Sequence, residues 1–316
     1  MGKNFTGEDK LLQELNRLAR ENNEKGQKSR AAYKSHMRNF LRFYWRRFHG
    51  QKISNIEGKH IRAYVEYMKE QRLSPYTIKS RVSGIRFFHK KAGGKKSLPD
   101  NKELGLEKRT IGAYDRSWTK EEVEAAKKVS LDMDRIDVYY ALDLAYAFGL
   151  RIEEVCRVRL EQIEHVGKNG GLFVKGKGNQ PRTVPVEVEI QKEALRRAYD
   201  YARKKKLLPR DYIISARGKG GVERQINSLE NWMYTNRHKF TLSGRENEIR
   251  DGKKPRSKSL TWHGLRHARA QEQHAMYKAE GRKDPKRMTS EILGHHRPYI
   301  TNVYLAELPP GRRKKK

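Results

Sequence analysis

Residues 137–150, DVYYALDLAYAFGL, place apolar side chains on nearly every side of a helix, with Gly149 set to end it and Arg151 directly beyond. A helix with so little polar face must be enclosed by protein, so this segment fixes the centre of a domain. The elements that could enclose it are legible on both sides. Thr119-Lys-Glu-Glu122 has the capping-box pattern that opens a helix. The stretch IEEVCRVRLEQI (152–163) reads as the helix that follows, and further helices are predicted at 190–206 and 227–240. Between them, GGLFVKGKGNQPRTVPV (170–186) has two β-prone runs, Leu172–Val174 and Thr183–Val186, around a loop of Gly, Lys, Asn and Pro. That is the signature of a β-hairpin.

The N-terminal part shows only helical periodicity. Segments 11–20 and 31–48 repeat apolar residues at helical spacing, a third helix covers about residues 56–71, and Ser74-Pro75 opens a fourth. The polar side of the fourth is nearly all Lys and Arg. Periodicity fades after Gly93. The chain is therefore predicted to be mainly α with one small β-hairpin, an α+β second domain following an all-α first one. The boundaries are 1–105 for the helical domain, 106–118 for a linker and 119–316 for the second domain with its basic tail, PPGRRKKK.

Charge narrows the function. Lys and Arg number 71 against 38 Asp and Glu, a formal +33, which is unfavourable for a compact chain unless a polyanion compensates it. Nucleic acid is the favoured partner; an acidic membrane surface is the rival. No apolar run is long enough to span a bilayer, and MGKNFTGEDK lacks the apolar core of a secretory signal. A cytoplasmic, nucleoid-associated protein is expected. The single cysteine, Cys156, excludes a disulfide framework and sits among Val155, Val158 and Leu160 as a small buried side chain.

Four short segments carry candidate chemistry. In GLRIEEV (149–155), Arg151 needs an anionic partner, and Glu154 three residues on could be that partner; a purely structural pair is the favoured local reading. Lys177 stands in the tip of the GKGN loop, where lysines are usually solvated, and the loop lacks the Gly-Lys-Ser/Thr ending of a nucleotide-binding loop. In TWHGLRHA (261–268), His263 and Arg266 share one helical face and suit a phosphate better than a metal, while His267 points elsewhere and reads as structural. Finally, LGHHRPYITNVYL (293–305) holds two histidines and two tyrosines. A tyrosine hydroxyl attacks a phosphodiester only where its proton is accepted and fixed donors meet the developing charge.

In order and spacing these segments resemble the tyrosine recombinase (phage integrase) family, whose motifs run Arg, hairpin Lys, His-x-x-Arg, Leu-Gly-His, Tyr. The matches are Arg151, Lys177, His263 with Arg266, His295 after Leu293-Gly294, and Tyr304 nine residues later. Residues 74–88, SPYTIKSRVSGIRFF, resemble the family's core-binding, SAM-like domain more weakly. The resemblance implies a two-domain, C-shaped clamp on double-stranded DNA and a homotetramer on two duplexes. It also implies host or element-encoded DNA-bending proteins as candidate accessory factors. The implied activity is site-specific recombination through a 3′-phosphotyrosyl link and a Holliday junction, without metal, ATP or other cofactor. Tyr304 would be the nucleophile, Arg151 and Arg266 the phosphate clamp, Lys177 the general acid, His263 the proton acceptor, His295 a further phosphate donor and Glu154 the orienting carboxylate. Integration and excision of a mobile element is the expected role. The alternatives are a Xer-like resolvase or a DNA invertase of the same family, and a non-catalytic architectural DNA-binding protein. The stretch 277–287, YKAEGRKDPKR, has no counterpart in this reading.

Overall fold

Four helices build the first unit of the chain, and each buries one stripe. In the computed structural model α1 (Gly7–Glu21) starts at Thr6, whose hydroxyl accepts the Asp9 N–H while the Asp9 carboxylate accepts the Thr6 N–H. It buries Leu11, Leu15 and Leu18 against Met37, Phe40 and Leu41 of α2 (Gln27–Phe48). Helix α3 (Gly58–Glu70) adds Ile61, Tyr64, Val65 and Met68, and α4 (Pro75–Lys91) adds Ile78, Val82, Ile85 and Phe88. Ser74 caps α4 by accepting the Thr77 N–H, with Pro75 in the first turn where its missing N–H costs nothing. The basic side of α4 is not all solvated: Arg86 donates to the Pro99 carbonyl and to Asn101 Oδ1 (2.9 Å).

The structure describes residues 6–22, 24, 26–106, 112–176, 180–218, 220–250, 252–294 and 298–307, excluding the side chains of 27, 28 and 298–300. It divides into two compact units, Met1–Thr110 and Ile111–Lys316. The division falls inside the 106–118 segment assigned to the linker.

The second unit is organised round α6 (Ile136–Phe148), the apolar helix from which its centre was inferred. Nine of its thirteen residues are buried, Val138 and the run from Ala141 to Phe148. Helices α5 (Lys120–Asp132), α9 (Glu189–Lys204) and α11 (Trp262–Ala279) enclose it. The Thr119 hydroxyl and the Glu122 carboxylate form the α5 capping box. One buried charge interrupts the apolar surface of α6. Asp143, 1% exposed, receives Lys127 Nζ of α5 at 2.8 Å and both Nε and Nη2 of Arg197 of α9 at 2.9 and 3.0 Å. The three helices thereby share a single register point.

The segment 152–163 differs from the continuous helix predicted. It forms two short pieces, α7 (Ile152–Val155) and α8 (Leu160–Glu164). The physical reason is competition from residues 211–215. The Val158 carbonyl accepts the Ile213 N–H (2.9 Å), the Asp211 carbonyl accepts the Leu160 N–H (3.1 Å), and the Ser215 hydroxyl donates to the Cys156 carbonyl (2.8 Å). Cys156 itself is fully buried, and burial pushes its thiol up to about 12. The hairpin is present, with β1 (Leu172–Lys175) antiparallel to β2 (Pro181–Val184) in the register Leu172↔Val184 to Lys175↔Pro181. Its second strand thus starts two residues before the predicted run. Helix α10 (Gly221–Asn236) begins six residues before the predicted start at 227. The chain closes with α12 (Pro285–Ile292), capped by Asp284, and α13 (Pro298–Leu305). The unassigned stretch 277–287 is the end of α11, a turn and the start of α12.

Removing Asp143 strands two cations at the core. Asp143→Ala is expected to cost about 3 kcal/mol of stability, measured by denaturant unfolding followed through Trp118, Trp232 and Trp262, which lie in this unit. A loss below about 1 kcal/mol would mean that the charges are not coupled as described.

Candidate active site

The end of α6 sets the position of Arg151. Gly149 takes the left-handed conformation (φ 61°) that terminates the helix, and a side chain there would press on Arg269 of α11. Arg151 then serves as the N-cap of α7, with Glu154 one turn ahead. The Arg151 N–H donates to Glu154 Oε2 at 2.8 Å, and its Nη1 donates to Oε1 at 2.9 Å.

Glu154 is the hub of the site. It is 3% exposed and receives a second, tighter arginine that the sequence reading did not single out. Arg182 of β2 donates Nη1 to Oε1 (2.6 Å) and Nη2 to Oε2 (2.8 Å), a two-pronged pairing that suits a planar guanidinium. A third arginine, Arg266 of α11, lies 3.9 Å from Oε2. Burial alone would raise the Glu154 carboxyl, but the Arg182 hydrogen bonds and the charges of Arg182 and Arg266 outweigh it and lower the carboxyl to about 2. Three guanidiniums facing one carboxylate leave two formal positive charges, three minus one, at this point. Such an excess in a buried site calls for an anion.

Arg266 is completely buried. Its Nη1 donates to the Gly149 carbonyl (2.7 Å) and its Nη2 to the Leu293 carbonyl. Burial, then the charge of Arg151, pulls its guanidinium down to about 10, still protonated at neutral pH. Arg182 and Arg266 both hold the chain just before Gly294: Arg182 Nε donates to the Ile292 carbonyl at 3.0 Å, next to the Leu293 carbonyl that Arg266 holds. Gly294 follows with φ 63°, and a Cβ there would come within 2.8 Å of Arg182 Cδ. Glycine is required by both backbone and contact. The base of the hairpin loop reaches the same place, since a Cβ on Gly176 would lie 3.3 Å from Glu154 Oε1.

Tyr304 of α13 lies over the first turns of α11. Its ring is 6% exposed, 5.3 Å from the His263 ring and 5.7 Å from the Arg266 guanidinium carbon. His267, read from sequence as pointing elsewhere, is the closest partner: its ring stacks on Tyr304 at 4.4 Å and 25°. The i, i+4 spacing of His263 and His267 puts both rings against the tyrosine. That spacing was the available signal, and only the position of α13 could give it meaning. Burial and the charges of Arg266, Arg151 and Arg116 lower His263 to about 4; burial and His263 lower His267 to about 3. Both are neutral at pH 7. His263 therefore presents a ring nitrogen able to take up a proton.

The structure thus brings together Arg151, Glu154, His263, Arg266 and Tyr304. Lys177, His295 and His296 lie outside the described residues, as does the tail 308–316. Among the described residues no three His, Cys, Asp or Glu side chains are grouped as a metal's ligands would be, and no helix is long and apolar enough to cross a membrane.

Residues 116–309 match the model of the phage integrase family, and residues 11–97 match that of the phage integrase N-terminal SAM-like domain. The chain belongs to the phage integrase family. Its similarity to curated proteins includes the tyrosine recombinase XerC of Staphylococcus epidermidis, 25% identical over 183 residues, 57% of this chain and 61% of that protein. XerC of Corynebacterium glutamicum is 28% identical over 163 residues, covering 52% and 44%. The chain spans about three fifths of the length of the first of these relatives. Among solved structures, a lambda integrase tetramer bound to a Holliday junction has a TM-score of 0.63 at 16% identity, covering 96% of this chain and 79% of that one. The Tn1549 transposon integrase in complex with circular intermediate DNA has a TM-score of 0.57 at 15% identity, covering 94% and 95%. These two show the fold shared with integrases, mainly α with a small antiparallel hairpin.

In this integrase-family site the Glu154 carboxyl has a calculable stability signature. A folded value of about 2 against an ordinary 4.5 means its contribution is fully present above pH 4.5 and is lost as pH falls towards 2, about 3 kcal/mol in all. Glu154→Gln should therefore be less stable than wild type by that amount at pH 7, the difference closing between pH 4.5 and 2. Denaturant unfolding at pH 7, 4 and 2.5 checks this; a pH-independent difference would contradict the role of the ionised carboxylate.

Proposed function

We propose that the chain is a site-specific DNA recombinase that cleaves and rejoins double-stranded DNA through Tyr304. The observation that carries the reading is the buried surplus of positive charge: Arg151, Arg182 and Arg266 around Glu154, with the Tyr304 ring packed over Arg266 and His263. A phosphodiester is an anion that such a surplus would attract, and its transition state carries still more negative charge. Arg151 and Arg266 donate to its two non-bridging oxygens and stabilise the added charge of the pentacoordinate transition state. The Tyr304 oxygen forms the new bond to phosphorus as the bond to the 5′-oxygen breaks, leaving a 3′-phosphotyrosyl link and a free 5′-hydroxyl. His263 takes the tyrosine proton; its basicity rises once the phosphate charge is beside it. Lys177, one residue beyond the Gly176 that abuts Glu154, gives its proton to the 5′-oxygen. His295, directly after the turn held by Arg182 and Arg266, donates a further hydrogen bond to the phosphate. Rejoining reverses these steps with another strand's 5′-hydroxyl. The bond energy is kept in the phosphotyrosyl link, so ATP has no role.

The assembly is proposed as a homotetramer on two duplexes that passes through a Holliday junction, with the first unit as the helical, SAM-like DNA-binding domain and the second as the catalytic domain. The +33 charge supplies the phosphate contacts, so binding weakens steeply with added salt. Integration and excision of a mobile element in the cytoplasm is the proposed role, with DNA-bending proteins as accessory factors. The similarity to XerC supports a second reading, a resolvase acting on the cell's own DNA. Recombination assays with candidate attachment sites and with repeated chromosomal sites separate the two.

A duplex nicked near the cleavage point traps the covalent adduct. Arg151→Ala and Arg266→Ala are each expected to lower its rate of formation by about two orders of magnitude or more. Undiminished rates would show that the phosphate binds elsewhere. For Lys177→Ala, a substrate whose 5′-bridging oxygen is replaced by sulfur should restore cleavage, because the thiolate leaves without a proton; no restoration would rule out the general-acid role.

A further inference from the structure

The polar stretch 243–259, SGRENEIRDGKKPRSKS, has no role in the chemistry above, yet its second half lies against the end of the Tyr304 helix. The last carbonyls of any helix lack intrahelical donors. At the end of α13 the last two of them, and the carbonyl of the next residue, are met from outside. The Tyr304 carbonyl accepts Gln271 Nε2 at 3.0 Å, the Leu305 carbonyl accepts Lys253 Nζ at 2.7 Å, and the Ala306 carbonyl accepts the Lys254 N–H at 3.0 Å. A bridge pairs Lys253 with Glu307 beyond. Ala306, fully buried, is held at φ 53°, a left-handed conformation that alanine adopts only where its surroundings impose it.

These donors share an anchor. Asp115 is fully buried and lies beside the same stretch: its N–H donates to the Pro255 carbonyl (2.8 Å) and its carbonyl accepts the Ser257 N–H (2.7 Å). One carboxylate oxygen accepts Gln271 Nε2 (2.9 Å); the other pairs with Arg250 Nη1 (2.7 Å), whose Nη2 holds the Lys254 carbonyl (2.9 Å). Segments 115–117, 253–257 and 304–307 are thus laced together around one buried carboxylate. The Lys253 cation stands at the negative end of α13, which favours it electrostatically.

We propose that Lys253 and Gln271, anchored through Asp115, are positioning residues that clasp the C-terminal end of α13 and hold Tyr304 against the arginines of its own subunit. The proposal rests on Tyr304 being the nucleophile. The clasp acts on backbone carbonyls, so loosening it releases the helix end without altering any group assigned above to the phosphate.

The test compares the wild-type chain with Lys253→Met and Gln271→Met. Amide exchange over 301–307 should accelerate by about tenfold or more, with α11 and the first unit unchanged. At saturating nicked duplex the single-turnover rate of adduct formation should fall by about tenfold, while affinity for that duplex stays within about twofold. Unchanged exchange over 301–307, exchange that rises equally throughout the second unit, or faster local exchange with an unchanged adduct rate each overturns the clasp. A wild-type chain that forms no adduct with any nicked duplex instead overturns the recombinase reading, whatever the exchange shows.

Discussion

The candidate site depends on one buried carboxylate. Glu154 accepts Arg151 and Arg182 and stands 3.9 Å from Arg266, so guanidiniums from the start of α7, β2 and α11 can approach one another around a buried carboxylate. Like charges at such separations repel strongly at low dielectric. The carboxylate offsets part of that repulsion and leaves a surplus. A neutral cluster would offer a phosphodiester no net charge, and without the Glu154 carboxylate the repulsion among the arginines would lack its offset.

Helix α11 carries the consequence to Tyr304, the proposed nucleophile. One helical turn displays His263, Arg266 and His267; the arginine reaches back to the ends of α6 and α12, while both histidines face the Tyr304 ring. The same helix supplies Gln271 one turn later, which holds the Tyr304 carbonyl. A shift in α11 would therefore move Arg266 and Tyr304 together. This coupling is a stronger form of preorganisation than two groups positioned by separate elements.

Much of this was legible in the sequence because it is local. The N-cap at Ser74, the capping box at Thr119, the stop at Gly149 and the sharing of a face by His263 and Arg266 depend on neighbours within one turn. What was not legible depends on partners far along the chain. Residues 152–163 break into two helices because residues 211–215 take their backbone groups, and no local signal records that competition. Arg182 looked like any strand arginine, since its carboxylate is 28 residues away. His267 was assigned a structural place because helical spacing says which face a residue occupies, not what will be packed there. The stretch 243–259 looked like a polar loop, and its grip on α13 spans some fifty residues of sequence. Lys177 and His295, which the motif order assigned to the site, lie outside the described residues.

In the proposed chemistry Tyr304 is the group that becomes bonded to DNA. The direct measurement is to form the adduct on a nicked duplex, digest both protein and DNA, and locate the nucleotide-bearing residue by mass spectrometry. A nucleotide linked through its 3′-phosphate to Tyr304 is expected, with Tyr299, the other tyrosine of the 293–305 stretch, unmodified. A link at Tyr299, at another residue, or through a 5′-phosphate would contradict it.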